Sequence, residues 1–392
     1  MIVLRRKIWM GRREGIDLAS ALPPLTQTRY RRALHPRAAG PHRRQDHPAL
    51  HPRSDQHLRS LVSPLDDLAA GKRASEIWDC CGGKVSTSNQ TIKRSRMKKI
   101  VNEIIKSELN EEVEAVSQIV DLGSVNNVYD VKCKGGAYIL RINKDENKEF
   151  EFWKEKWCIE KVTILGVPSP KILKVGMKGK FPFMILSKIE GTNGSKCSTE
   201  QNLLIWERLG QFARKFHSIN KIEELHITTD EFHTNWKSKL EYNIGELSEK
   251  DSLLKRNAFN ISEQEKVKSI LIKLKDKEFN EGLVHGDLCP RNVIYNNQLV
   301  YLLDWGTSGI NIVPHTEIGI ILIENKLEEK EFDSFLKGMG IQPVEYQKIE
   351  EETIQLNLLH RLDKYRWADG REFVEIDEYI SKLRIAYEKL MN

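Results

Sequence analysis

The periodicity of apolar residues changes once along this chain, at Glu190-Gly191, and that change limits the folds open to it. Before it, short alternating runs dominate. Residues 128–133 and 137–143 alternate around Lys134-Gly135-Gly136, which predicts a hairpin. Residues 148–165 carry a helical pattern closed by Gly166 and a Pro168-Ser169-Pro170 loop. Residues 171–175 and 181–189 predict two more strands, joined by a turn with Gly176 and Gly179, and a helix is expected over 98–109. After the change the chain is mainly helical. Ser198-x-x-Gln201 is a capping box for a helix to about His217. Further helices fit 231–247 and 262–277, the second with Ser262-x-x-Glu265, and the chain from about 315 onward has helical character. Only short strands, 283–285, 293–295 and 299–304, interrupt this part. A small β-rich lobe followed by a larger helical lobe is an α+β, two-lobe arrangement.

The first quarter follows neither pattern. Residues 1–97 hold 19 Lys+Arg against 8 Asp+Glu, and 15 of the 19 are arginine. Residues 98–392 hold 43 Lys+Arg against 48 Asp+Glu, and 34 of the 43 are lysine. Folding physics does not require such a switch, whereas a change of coding bias produces one. Met97-Lys98-Lys99-Ile100 resembles a translation start. The expectation is that residues 1–96 are a disordered, fusion or read-through segment, since their proline and charge content argues against a packed core. Residues 97–190 then form an N-lobe that binds nucleotide, and residues 191–392 a C-lobe for catalysis and acceptor binding. A basic arm for nucleic acid is the lesser reading, because aromatic interleaving and a binding motif are lacking.

The longest apolar run, 318–323, is far below the roughly 20 residues of a membrane span. The expectation is a cytoplasmic monomer with no membrane partner. Its six cysteines, at 80, 81, 133, 158, 197 and 289, are expected to be free thiols.

The residues with chemistry lie in Leu283-Val284-His285-Gly286-Asp287-Leu288-Cys289-Pro290-Arg291-Asn292, followed by Leu303-Asp304-Trp305. Phosphoryl transfer asks the protein for positioning and charge more than for covalent chemistry. One carboxylate must orient and deprotonate an acceptor hydroxyl, which Asp287 suits. Asn292 and Asp304 offer the hard oxygens that Mg²⁺ prefers alongside phosphates and water.

At these motifs the chain resembles the aminoglycoside phosphotransferase family, including hygromycin-type enzymes, whose fold is that of the protein kinases. The family carries His-Gly-Asp, Asn after four intervening residues, and then an Asp-Trp or Asp-Phe pair. The resemblance implies a protein-kinase-like fold and an ATP-dependent transfer, with GTP as an alternative donor, to a small-molecule hydroxyl. Catalysis falls to Asp287, His285 and Asn292, with Asn292 and Asp304 on the metal. It places Ser124, Asn126 and Asn127 in a nucleotide-positioning loop. Arg141 stands where kinases carry a phosphate-binding lysine, with Glu155 as partner ahead of Glu151 and Glu160. Ser187 and Ile189 fall on the adenine hinge. His217 is expected to be structural, and Glu317 replaces a usual aspartate at a helix start. An aminoglycoside-type antibiotic is the leading acceptor, with Asp363, Trp367 and Asp369 as its candidate site. A metabolic kinase for choline, homoserine or a sugar is the alternative, and a silent nucleotide-binding regulator a further one.

Overall fold

The computed structural model describes residues 87–119, 126–221, 235–324, 327–370 and 376–391. The first helix, α1 (Thr87–Leu109), starts ahead of the expected 98, so that Met97 falls inside it. Its buried positions Val101, Ile104 and Ile105 recur at helical spacing.

A five-stranded antiparallel sheet follows, built from β1 (Val113–Ile119), β2 (Asn127–Cys133), β3 (Ala137–Ile142), β4 (Ile172–Lys178) and β5 (Phe181–Ser187) in the order β1-β2-β3-β5-β4. The hairpin β2–β3 turns at the expected glycines, where Cys133 N–H donates to Gly136 O at 2.8 Å. β1 was not expected. It is an edge strand, its side chains range from half-buried to exposed, and its apolar residues mark no buried face. Between β3 and β4 lies α2 (Glu149–Ile164), ending before Gly166 at φ +72°. Strand β5 shows why the sheet carries a helix on each face. Phe183 and Ile185 join α1 in one buried cluster, whereas Met184 and Leu186 join Phe152 of α2 in another.

The helical lobe opens with the two-residue β6 (Thr192–Asn193) and α3 (Thr199–Phe216), whose Ser198–Gln201 capping box forms as expected. Next come α4 (Trp236–Glu246), α5 (Ser252–Lys255) and α6 (Ile261–Leu274). Residues 231–234 of the expected helix lie outside the described residues. The capping box of α6 is made by Asn260 and Glu263 rather than by Ser262 and Glu265. Asn260 accepts from Glu263 N–H at 2.9 Å, so the cap sits two residues before Ser262.

Strands β7 (Glu281–Val284), β8 (Val293–Asn296), β9 (Leu299–Leu302) and β10 (Gly309–Ile312) then form two small sheets, β10-β7 and β6-β8-β9. The chain closes with α7 (His315–Glu324), α8 (Glu329–Met339), α9 (Pro343–Asp369) and α10 (Ile376–Met391). Helices α3 and α8 cross at Gly210 and Gly338, and a Cβ on Gly210 would fall 2.1 Å from Phe335 O. Among the described residues no helix is long and apolar enough to cross a membrane. The described cysteines, Cys133, Cys158, Cys197 and Cys289, are free thiols.

A buried ion pair ties this lobe together. Arg366 of α9 donates to both oxygens of Asp251 at 3.0 and 2.9 Å and to Asn243 Oδ1 at 3.1 Å. Asp251 also accepts from Leu253 N–H and Gln264 Nε2. Removing one partner strands the other charge away from water. Asp251→Ala is therefore expected to lower unfolding stability by about 3–5 kcal/mol. Denaturant titration measures this, and a loss below about 1 kcal/mol would mean that water replaces the carboxylate.

Candidate active site

The loop after β7 is held from three sides. Glu317 on α7, a fully buried side chain, accepts from His285 N–H at 2.8 Å and from Gly286 N–H at 3.3 Å. Thr307 Oγ1 donates to His285 O at 2.8 Å. The His285 ring spans the loop and the strand end that carries Asp304: Nε2 lies 2.9 Å from Leu303 O, and Nδ1 accepts from Asp287 N–H at 3.3 Å. These partners make Nδ1 the acceptor of the ring and leave Nε2 to donate to Leu303 O. Gly286 sits at φ +77°, and a Cβ there would lie 2.7 Å from Thr307 O, so glycine is required twice over. The longer Glu317 reaches the loop from a helix start where the resemblance places an aspartate. His217 caps the C-terminus of α3, packs edge-on against Phe216 and lies 4.0 Å from Glu317 Oε2.

Asp287 is buried to 12% side-chain exposure. Oδ1 accepts from Arg291 Nη2 at 2.5 Å and Oδ2 from Asn292 Nδ2 at 2.8 Å. Burial raises its proton affinity above the ordinary aspartate range, opposed by the charge of Arg291 and by these hydrogen bonds. Asn292 Nδ2 also donates to Asp287 O at 2.9 Å. The amide nitrogen is thus committed to Asp287, which leaves Oδ1 as the oxygen the side chain can offer to another group. Asn292 O accepts from Leu303 N–H at 2.9 Å and brings the Asp304 segment alongside.

Asp304 sits at φ 57°, a left-handed conformation uncommon outside glycine, and its side chain is 50% exposed. Its Oδ1 accepts from Arg141 Nη2 at 3.2 Å. Arg141 Nη1 donates to Glu155 Oε1 at 2.5 Å, and the same oxygen accepts from Trp305 N–H at 3.3 Å. Burial works against the guanidinium charge, but Glu155 and Asp304 outweigh it and keep Arg141 cationic. Of the two rival carboxylates, Glu151 pairs with Lys148 and Glu160 with Lys156. Cys158 Sγ lies 3.1 Å from Ser308 Oγ, a second tie between α2 and the segment after Asp304.

The remaining candidates are placed as follows. Ser124 lies outside the described residues. Asn126 Oδ1 accepts from Asn143 Nδ2 at 2.9 Å, and Asn127 opens β2 opposite Ile142. Ser187 ends β5, where its Oγ accepts from Lys171 N–H at 2.9 Å, and Ile189 follows two residues past the strand. Asp363 pairs with Lys239 at 2.7 Å, Asp369 with Arg256 at 2.7 Å, and half-buried Trp367 packs near Tyr379. The ion-pair partners of Asp363 and Asp369 lie on α4 and just after α5, not on the catalytic loop. Sequence reasoning passed over Arg291 and Thr307. Arg291 was detectable, since it stands four residues from Asp287 within the motif.

The oxygen set fits Mg²⁺ in its chemistry: the amide oxygen of Asn292 and the half-exposed carboxylate of Asp304 are hard ligands, and phosphates and water would complete the shell. A β-rich lobe whose Arg–Glu pair reaches a carboxylate beside a His-Gly-Asp loop defines a phosphotransferase.

Comparison with known proteins agrees. Residues 118–351 match the model of the Phosphotransferase enzyme family, and the chain belongs to that family as a small-molecule kinase. No curated protein matches the chain by sequence. Among solved structures, APH(2'')-IIIa in complex with GDP and kanamycin is 14% identical, covers 74% of this chain and 98% of its own, and superposes with a TM-score of 0.54. Choline kinase LicA from Streptococcus pneumoniae is 20% identical over 76% of this chain and 99% of its own, with a TM-score of 0.52. Spectinomycin phosphotransferase with ADP and spectinomycin is 14% identical over 75% and 97%, with a TM-score of 0.51. At these identities the likeness is one of fold, and the fold is kinase-like.

Proposed function

We propose that the chain transfers the γ-phosphoryl group of Mg·ATP, or of Mg·GTP, to a hydroxyl of a small molecule. One observation carries this reading. Asp287, Asn292, Asp304, Arg141 and Glu155 form a single connected set, joined by the hydrogen bonds of Asn292 to Asp287 and to Leu303 and by Arg141 between Asp304 and Glu155. A silent regulator would have no need to keep a base and two metal ligands in one register.

Within that set, Asp287 orients the acceptor hydroxyl and takes its proton. Asn292 Oδ1 and Asp304 hold Mg²⁺, which supplies charge neutralisation at the phosphates. Arg141 sets a fixed positive charge beside Asp304, and Glu155 keeps that charge in place. His285 holds the loop, the backbone near Ser187 and Ile189 receives the base of the nucleotide, and Asn126 and Asn127, at the start of β2, meet its phosphates. The catalytic unit is residues 97–392, divided into lobes after residue 190, and works as a cytoplasmic monomer.

The leading acceptor is an aminoglycoside-type antibiotic, inactivated by modification, with Asp363, Trp367 and Asp369 as contacts. One observation favours the second reading, a metabolic kinase for choline, homoserine or a sugar: Asp363 and Asp369 are already neutralised by Lys239 and Arg256, which weakens their hold on a polycation. The test is a panel of kanamycin, spectinomycin, choline, homoserine and simple sugars with γ-labelled ATP and GTP. Label is expected on at least one acceptor. Tight nucleotide binding with no transfer to any of them would favour the regulator.

A further inference from the structure

The left-handed backbone of Asp304 is one that a residue other than glycine keeps only where its surroundings impose it. Both peptide units beside it are held. Before it, Leu303 O lies 2.9 Å from His285 Nε2, and Leu303 N–H donates to Asn292 O. After it, Trp305 N–H donates to Glu155 Oε1 at 3.3 Å, on an oxygen that Arg141 Nη1 already meets at 2.5 Å. That hold is long and shared, and a second one follows it. Trp305 O accepts from Ser308 N–H at 3.2 Å and also from Ser308 Oγ. A hydroxyl has one proton and a carbonyl can only accept, so the proton of Ser308 goes to Trp305 O. Ser308 Oγ is then the acceptor in its 3.1 Å contact with Cys158 Sγ, and the thiol is the donor. Burial pushes that thiol up to about 12, so it keeps the proton it donates.

Cys158 stands three residues after Glu155 on α2, on the same side of the helix. One helix face therefore grips Trp305 twice, at its N–H through Glu155 and at its carbonyl through Cys158 and Ser308. The Trp305 ring is itself fully buried, against His285 and Phe216 at centroid separations of 4.7 and 5.3 Å. Ser308 is 3% exposed and Cys158 0%, so a lost partner is not readily replaced by water.

We propose that Cys158 and Ser308 are positioning residues for the carboxylate assigned to Mg²⁺: acting through the Trp305 carbonyl, they fix the peptide units that follow Asp304 and so keep its side chain in the orientation that meets the metal. Their role rests on Asp304 being a metal ligand.

The test is calorimetry on the full chain, with whichever of ATP and GTP the wild type binds, in Mg²⁺ and again in EDTA, beside a melting curve for each variant. Ser308→Ala and Cys158→Ala are each expected to weaken binding about tenfold in Mg²⁺ and less than about twofold in EDTA, as loss of one buried hydrogen bond acting on the metal would. Cys158→Ser, which keeps a donor, is expected to lie closer to wild type than to Cys158→Ala. The double variant should bind no more weakly than Ser308→Ala, because the two residues act in series. Unchanged affinity in Mg²⁺ for both single variants overturns the proposal. So does an equal loss with and without Mg²⁺, the mark of a purely structural role. Should Ser308→Ala fail to fold, Cys158→Ala and Cys158→Ser decide by the same comparison. Asp304→Asn separates the two assignments. Full affinity in Mg²⁺ for that variant would remove the metal role and this inference with it, whereas a loss there with none in Ser308→Ala and Cys158→Ala would remove the inference alone.

Discussion

Asp287→Asn is expected to lower turnover by about 10²–10⁴-fold while nucleotide affinity stays within a few-fold of wild type. The substitution keeps the size of the side chain and one acceptor oxygen. It removes the group that can take a proton, and it sets an amide nitrogen where a carboxylate oxygen met either Arg291 or Asn292. The loop should survive, because its backbone is held by Glu317, Thr307 and His285 rather than by Asp287 itself. The nucleotide contacts proposed for Arg141, Asp304 and the hinge involve none of the changed atoms. Steady-state kinetics and calorimetry with Mg·ATP separate the two quantities. Turnover within a few-fold of wild type would remove Asp287 as the base, and a parallel loss of nucleotide affinity would give it a structural part instead.

Local signals carried much of the fold. The Gly135-Gly136 hairpin, the helix closed at Gly166 and the Ser198–Gln201 box each depend on residues close in sequence, and each forms where its turn or cap chemistry places it. Misses came where a distant partner or a nearby competitor decided. β1 exists because β2 offers it a ladder, and no apolar alternation announces it. Asn260 outcompetes Ser262 because its side chain reaches the N–H of Glu263. β10 is four residues long and forms only against β7.

The candidate site divides along the same line. Residues clustered in the His285–Asn292 motif keep one another's company in space, and Arg141 meets Glu155 and Asp304 as the spacing of strand, helix and motif requires. What sequence could not supply was the state of each charge. Asp363 and Asp369 read as an acidic surface, yet their neutralising partners, Lys239 and Arg256, stand more than a hundred residues earlier. Arg291 stands in plain view within the motif, but that its guanidinium pairs with Asp287 is known only from their distance. Counts of carboxylates near a motif therefore say little about the field an acceptor meets.

Asp304→Ala is expected to abolish Mg-dependent nucleotide binding, and Asp304→Asn tells why. Asp304 is half-exposed and shares one oxygen with Arg141, so its other oxygen is open to a cation. Its removal does not strand Arg141, which keeps Glu155 at 2.5 Å, and so the fold should hold. Alanine is the harsher change, since the position sits at φ 57°, where a residue other than Gly, Asn or Asp is disfavoured by roughly 1–2 kcal/mol. Asparagine tolerates that backbone and keeps an oxygen but loses the charge. If the charge is what holds Mg²⁺, both variants lose Mg·ATP affinity in calorimetry, while binding measured without Mg²⁺ changes little. If the loss appears in alanine alone, the left-handed backbone rather than the carboxylate charge is the requirement. Unchanged Mg·ATP affinity in both would refute the metal role, and Asp304 would then act only as the second anchor of Arg141.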